Sequence, residues 1–474
     1  MTQENLNFAG KKVLVFGLGL LGGGVATTNW LLKHGAAVTI TDLKTQEQLK
    51  PSLEKINGNV QLKLGGHDDA DIRFSDIVVC NQDVSINNPY ILLAFKERKQ
   101  VETEGTLFFK LFSKRIVGIT GTRGKTTTTA WVHAFLQSSF KATTAGNWGE
   151  VNPFLDIADR GNEFDIAVAE IPSFQLEYFD LIDRSPDVAV ITNLSADHLN
   201  RHGDMRGYAL VKAKLFKHQT ADQHLIVNHD NEWTDFFISQ KPKSHVWEFS
   251  RTNLPAAVNG VFYSAGEIFL QENGKSQSVL SVGDFVKEKG EHNLQNLLGS
   301  SLAAHLVGVP WEKIQAAIPS LPQVKFRQEV VFKNDQMTII NDTTATSPEG
   351  AIAAVNRFRG KDTILIAGGT DRNLDFFEWG KVITEHIHPG NLILLSGSAT
   401  DKMRLLLTER GLIEGKDFSV QEDLSACFQE ALEKAKAHPG ATVLFSPGAK
   451  SFEKFLNEFD RGEQFNVLVK ELNP

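Results

Sequence analysis

The chain has 474 residues, with 49 Lys and Arg against 57 Asp and Glu, which gives a net charge of −8. That balance excludes a basic footprint for nucleic acid, and 41% hydrophobic with 22% charged residues excludes disorder as the main state. Two cysteines, Cys80 and Cys427, are too few for a disulfide framework or a thiolate metal site. At about 150 residues per domain the length predicts three domains. No run approaches the roughly 20 apolar residues that span a bilayer. With the polar opening MTQENLNFAG, this leads to the expectation of a cytoplasmic protein that is not membrane-embedded.

Short apolar runs ending in Gly, Asn or Asp alternate with helix-length segments, which is the pattern of parallel α/β architecture. The first set holds VLVF (13–16), AVTITD (37–42) and DIVVC (76–80). Its first turn is glycine-rich: Gly17-Leu18-Gly19-Leu20-Leu21-Gly22 precedes the helical segment GGVATTNWLLKHG, and Asp42 ends the next strand. Glycines there let the backbone approach a pyrophosphate held on helix N-terminal amides, and Asp42 is placed to accept from a ribose hydroxyl or a base N–H. A tight turn without a ligand is the bland alternative. An NAD oxidoreductase is the first guess from this motif, and the next motif argues against it.

The second set runs through RIVGIT (115–120), DIAVAE (165–170), DVAVITN (187–193) and HLIVN (224–228). After RIVGIT come Thr120-Gly121-Thr122-Arg123-Gly124-Lys125-Thr126-Thr127 and a helical run. Ile119 stands where the general phosphate-loop pattern has its first glycine. The chemistry survives: backbone N–H groups cradle phosphates, Lys125 reaches the β- and γ-phosphates, and Thr126 offers its hydroxyl to Mg²⁺. The chain is thereby a user of ATP or GTP. Glu170 and Asp197-His198 follow strand ends on the same sheet edge, and Mg²⁺ favours oxygen ligands, which makes His198 the weaker candidate on chemistry alone. Residues 245–285 are expected to form irregular short strands. The third set holds MTIIND (337–342), TILIAGG (363–369), NLILLSG (391–397) and TVLFSPG (442–448). The boundaries expected are 1–109, 110–323 and 324–474.

TGTRGKTTTT, GNWGE, AEIPSFQLE, NLSADHLNRH, YALVKAKLF, HNLQN, FRQE, NDTTATSPEG and SPGAKSFEKFLNEFDRG, in that order, resemble the Mur ligase family over nearly the whole chain. SFQLE, NDTTAT and FDRG look most like the members that add D-glutamate. The resemblance implies three domains: a Rossmann-like one for the UDP-MurNAc precursor, a central phosphate-loop ATPase, and a Rossmann-like α/β domain for the incoming amino acid. It implies an ADP-forming amide ligase with UDP-MurNAc-L-Ala, glutamate and ATP as substrates, two Mg²⁺ ions, and a monomer.

Carried over position by position, Lys125, His198 and Lys212 would be catalytic. Gly121, Thr122, Arg123, Gly124, Thr126 and Thr127 would cradle ATP, with Asn296 on adenine and Arg327 and Asp342 as further nucleotide contacts. Thr126, Glu170, His198 and a carbamylated Lys212 would hold the metal ions. Gly17 to Gly22, Asp42, Asn147 and Gln175 would face the UDP substrate, and Thr346, Arg372, Ser451 and Phe452 the amino acid. Departures from the family pattern are Leu21, Asn81-Gln82-Asp83-Val84, Pro172, Thr344, Arg372 and Glu458. Most of the departures that touch amino-acid selection lie in the third set, so the acceptor pocket looks altered. The expected acceptor is glutamate, D ahead of L, and Glu458 is expected to turn away or to pair with Arg372. A ligase of the same superfamily with L-glutamate, another acceptor or a folate-type substrate stays open, as does a nucleotide-gated binding protein.

Overall fold

The computed structural model describes residues 6–20, 22–146, 152–360 and 362–472. They fall into two compact units, residues 1–322 and 323–474. The first unit carries two sheets. In one, β1 (Lys12–Phe16), β2 (Ala37–Asp42), β3 (Gln61–Leu64), β4 (Ile77–Cys80) and β5 (Gln100–Glu102) pair in parallel in the order β3-β2-β1-β4-β5. In the other, β6 (Arg115–Thr120), β7 (Ala142–Ala145), β8 (Ile166–Glu170), β9 (Val188–Ile191), β10 (His224–Asn228), β11 (His245–Ser250), β12 (Gly260–Ser264), β13 (Glu267–Glu272) and β14 (Lys275–Ser281) line up as β14-β13-β12-β11-β10-β9-β6-β8-β7. Segment 245–285 is therefore more regular than expected. β11 and β12 extend the parallel sheet, and β13 with β14 closes it as an antiparallel hairpin around Asn273-Gly274.

Both faces of the larger sheet are covered, which is why its central strands β6, β8, β9 and β10 are nearly all apolar. On one face helix Lys125–Leu136 packs with helix Glu291–Val307. The first of these contains Thr126 to Thr129, a β-branched run with poor intrinsic helix preference. Burial of Trp131, Val132, Phe135 and Leu136 outweighs it, at about 1.5–3 kcal/mol per large apolar side chain.

The expected break after residue 109 falls inside helix Glu104–Leu111. Leu107 of that helix belongs to the core of the first sheet, whereas Phe108 and Phe109 belong to the core of the second. Polar links reinforce the join. Trp30 Nε1 donates to Asp159 at 2.9 Å, and Arg201 donates to Glu177 at 2.6 Å and to the carbonyl of Val84 at 3.0 Å. The two sheets consequently share one unit.

The second unit begins at Gln323. Its strands β15 (Glu329–Lys333), β16 (Met337–Asn341), β17 (Thr363–Gly368), β18 (Leu392–Leu395), β19 (Phe418–Gln421) and β20 (Ala441–Phe445) have the order β15-β16-β20-β17-β18-β19, antiparallel only at β15. Apolar clusters on both faces again explain the near-continuous Ile/Leu/Val runs.

Candidate functional site

Strands β9, β6 and β8 are neighbours, so the segments leaving their carboxyl ends meet at one edge. The middle segment is residues 121–124. Gly124 has φ of 79° and caps helix Lys125–Leu136, and a Cβ there would lie 2.4 Å from Asn296 Oδ1. No acidic residue occupies the first turn of that helix, which leaves its amides and dipole to an anion. Lys125 Nζ donates to the carbonyls of Gly121 and Thr122, both at 3.0 Å, which places the ammonium over the loop. Thr126 Oγ1 donates to Glu170 Oε1 at 3.3 Å, and Glu170 Oε2 is buried without a hydrogen-bond partner. A buried carboxylate oxygen without a donor is costly, and a hard cation beside a hydroxyl would satisfy it.

On the β9 side, Asn193 clamps the loop. Its Oδ1 accepts from Arg123 N at 3.0 Å and its Nδ2 donates to Arg123 O at 3.1 Å, while Thr192 Oγ1 donates to the same carbonyl at 2.6 Å. Neither residue was singled out from the sequence; their place directly after an apolar strand was the available signal. Asn193→Ala should lose two hydrogen bonds of about 1 kcal/mol each. The expected result is a rise of roughly tenfold or more in KM for ATP with an unchanged KM for the UDP substrate. Initial-rate kinetics checks it.

His198 sits at φ of 53° at the start of the short helix Leu199–His202, its ring edge-on to Phe174 at 4.9 Å and its Nε2 3.6 Å from Asp197. Lys212 is 1% exposed. Its Nζ lies 3.5 Å from Thr120 Oγ1 and 4.5 Å from the centre of the Tyr208 ring. Burial, and next the Lys125 ammonium, push its pKa well below the usual lysine value, with Asp197 opposing. That setting favours the neutral amine. His202, stacked on Tyr208 and bonded to Ser173, is pushed down to about 4 by burial and stays neutral as well. Among the described residues no three His, Cys, Asp or Glu side chains converge as a metal cage. Thr126 and Glu170 nevertheless fit Mg²⁺, which commonly takes one or two protein oxygens and fills its shell with phosphate and water.

In the first sheet Gly17, Gly19 and Gly22 all have positive φ. The close approach of the turn to the helix occurs at Gly24, where a Cβ would lie 2.1 Å from Leu18 O, and not at Gly22, which has open space. Asp42 accepts from Gly19 N at 3.0 Å and Lys44 N at 2.9 Å, so its carboxylate shapes the turn. Leu18 is fully buried and has only backbone to offer a ligand, whereas Leu20 is exposed. Leu21 and Asn147 lie outside the described residues. Gln175 is buried, and its Oε1 accepts from Gly105 N at 3.3 Å. Asn296 joins the phosphate-loop helix through Thr128 Oγ1 at 3.5 Å.

In the second unit Asp342 is buried and accepts from Ser446 Oγ at 2.7 Å and Gln328 N at 3.0 Å. Burial pushes its pKa up to about 7. Arg327 immediately precedes Gln328 and donates its backbone N–H to Val324 O at 3.1 Å. Ser451 is 2% exposed with an unpartnered Oγ, Phe452 is half exposed, and Arg372 lies over the Phe452 ring at 5.1 Å. Glu458 opens helix Glu458–Lys470 and acts electrostatically on Arg461; no Arg372–Glu458 pair is present among the described ion pairs. Arg461, also not singled out from the sequence, is fully buried and donates to Thr343 O at 2.8 Å and to Ala449 O and Lys450 O at 3.2 Å each.

Residues 11–102 match the family described as Mur ligase MurD-like, N-terminal domain, and residues 119–304 match the Mur ligase middle domain. The chain is 34% identical to a UDP-N-acetylmuramoylalanine–D-glutamate ligase of Roseiflexus sp. (strain RS-1), covering 98% of this chain and 99% of that protein. It is 33% identical to the protein of the same name from Borreliella afzelii (strain PKo), covering 98% of each. Among solved structures it is similar in fold to the UDP-N-acetylmuramate-alanine ligase MurC of Thermotoga maritima, with a TM-score of 0.60, 19% identity, and 98% and 100% coverage. MurF ligase from Thermotoga maritima in complex with ADP gives a TM-score of 0.56 at 17% identity, covering 99% of this chain and 97% of that one.

Proposed function

Since the chain belongs to the Mur ligase family, we propose that it joins D-glutamate to UDP-MurNAc-L-alanine with conversion of ATP to ADP and phosphate, a step of peptidoglycan precursor synthesis. The observation that carries this reading is the phosphate loop with Lys125 over it and Thr126 bonded to a buried Glu170 that keeps one oxygen unpartnered. That arrangement suits phosphoryl transfer and has no use in hydride transfer. We assign the sheet β1–β5 to the UDP substrate, β6–β14 to ATP and β15–β20 to the amino acid. The protein is expected to work as a monomer in the cytoplasm.

The substrate carboxylate resists an amine because its charge repels the nucleophile and oxide leaves poorly. Its oxygen takes the γ-phosphoryl group and ADP departs; the amine nitrogen then attacks the acyl carbon, and the tetrahedral intermediate loses a proton and expels phosphate. Lys125 and the amides of residues 122–126 hold the transferring phosphoryl group and its charge. Mg²⁺, two ions in this proposal, would be held by Thr126 and Glu170 and by His198 with a carbamylated Lys212, and would neutralise phosphate charge.

The test is a panel of UDP-MurNAc-L-Ala, ATP and each of the twenty amino acids in both stereochemistries, with phosphate release as the readout. Release dependent on glutamate, with the D form preferred, is the expected result. Selection of an uncharged or basic amino acid would refute the acceptor. NAD binding alone, without the UDP substrate, would refute the role given to the first sheet.

A further inference from the structure

Three loops leave adjacent strands of the second unit, because β20 lies between β16 and β17. They are tied to one another through the backbone. Gly448 N donates to Ala345 O at 2.9 Å, and Lys450 pairs with Thr370 through bonds of 2.8 and 3.1 Å. Arg461 adds a buried brace: its guanidinium joins the carbonyls of Thr343 and Lys450, so the backbone of Lys450 has a fixed place beside residues 343–346. With its donors on backbone and hydroxyl oxygens inside the unit, Arg461 is an internal support and not a ligand group.

The side chains divide differently. Thr344 turns its hydroxyl back onto Phe326 O at 2.7 Å and offers nothing outward. Nearby cations are already paired, Lys402 with Asp371 at 2.6 Å and Lys325 with Glu463 at 2.5 Å. Arg372 lies over the Phe452 ring at 5.1 Å, and among the lysines beside this loop Lys450 is the exception. The residue is half-buried, and its ammonium donates to the hydroxyl of Thr346 at 3.2 Å and forms no ion pair among the described residues. A lysine held by a rigid backbone and bonded to a neutral hydroxyl is a preorganised partner for an anion, because binding adds charge pairing without ordering the loop. The buried, unpartnered Ser451 hydroxyl on the next residue marks the same segment as one that lacks a polar partner.

We propose that Lys450 is the acceptor-recognition residue of this chain, with Thr346 orienting its ammonium onto a carboxylate of the incoming dicarboxylic amino acid. This rests on the ligase reading above.

The experiment is initial-rate kinetics of the full-length enzyme, with D-glutamate varied at saturating ATP and UDP-MurNAc-L-Ala. Loss of a charge-assisted bond in Lys450→Gln should raise KM for D-glutamate about ten- to hundredfold. KM for ATP and for the UDP substrate should stay within about twofold, and Lys450→Arg should recover most of the loss. An unchanged KM for glutamate in Lys450→Gln overturns the proposal. An equal rise in all three KM values overturns it too, since that is the pattern of a structural lysine. A wild type that consumes no dicarboxylic amino acid overturns the ligase reading and this assignment together, so the two failures are told apart by the wild type alone.

Discussion

Lys125→Ala is expected to leave a folded protein whose kcat is lower by about 10²–10³, the usual loss when a positioned transition-state contact is removed. The fold does not depend on the side chain. The helix it opens is held by Trp131, Val132, Phe135 and Leu136, and the loop is held by Asn193 and Thr192 through the backbone of Arg123. The two bonds from Nζ go to loop carbonyls at its own end of the helix, where water replaces them. The electrostatic consequence reaches further, because the Lys125 ammonium is one reason that the Lys212 pKa is low. Its removal should let Lys212 recover part of its proton affinity. Phosphate release under saturating substrates, with a melting curve of the variant, checks the prediction. Near-normal turnover in a folded Lys125→Ala protein would take the phosphate loop out of the mechanism.

The phosphate loop and Glu170 were legible because strand, turn and helix are contiguous and each leaves its own local mark: an apolar run, glycines, then a polar helix start. Asn193 and Thr192 left no such mark, since their role lies in bonds to a loop 69 or 70 residues away. Arg461 reaches Thr343 across 118 residues, so its role as a buried brace is not readable from the FDRG segment that contains it. Short edge strands were hidden for a different reason. β3 reads QLKL and is mostly exposed, and β7 reads ATTA, so neither carries the apolar run that revealed the buried strands. The break expected after residue 109 falls within helix Glu104–Leu111, which has apolar residues on two faces and serves two cores at once. In the second unit the residues named from the sequence for the amino acid, Thr346, Arg372, Ser451 and Phe452, all follow strand ends. Which cation faces outward depended on where Thr344 and Lys450 direct their polar atoms, and that is a property of the folded loops.

Lys212→Ala is expected to lose activity by about 10²–10³, with part of it restored by short carboxylic acids such as formate or acetate. The amine is buried, makes one long bond to Thr120, and has a pKa well below that of free lysine. Free lysine, near 10.4, keeps only roughly one amine in 250 neutral at pH 8, and the lowered pKa of Lys212 raises that fraction. A neutral amine attacks CO₂ through nitrogen, releases one N–H proton, and becomes a carbamate whose oxygens suit Mg²⁺. A carboxylic acid diffusing into the space left by Lys212→Ala supplies similar oxygens, which is why rescue separates a ligand role from a packing role. Carbon-13 NMR with labelled bicarbonate should show the carbamate in the wild type and none in the variant. Stability gives an independent readout in CO₂-depleted buffer. Between the low folded pKa and about 10.4 the unfolded chain holds more protons at this position, so wild-type stability rises with pH across that window. Lys212→Met, which removes the titration, should therefore gain most in Tm over the wild type near neutral pH and progressively less toward pH 10. A fully active Lys212→Ala enzyme with no carbamate signal in the wild type would leave Lys212 as a buried structural amine.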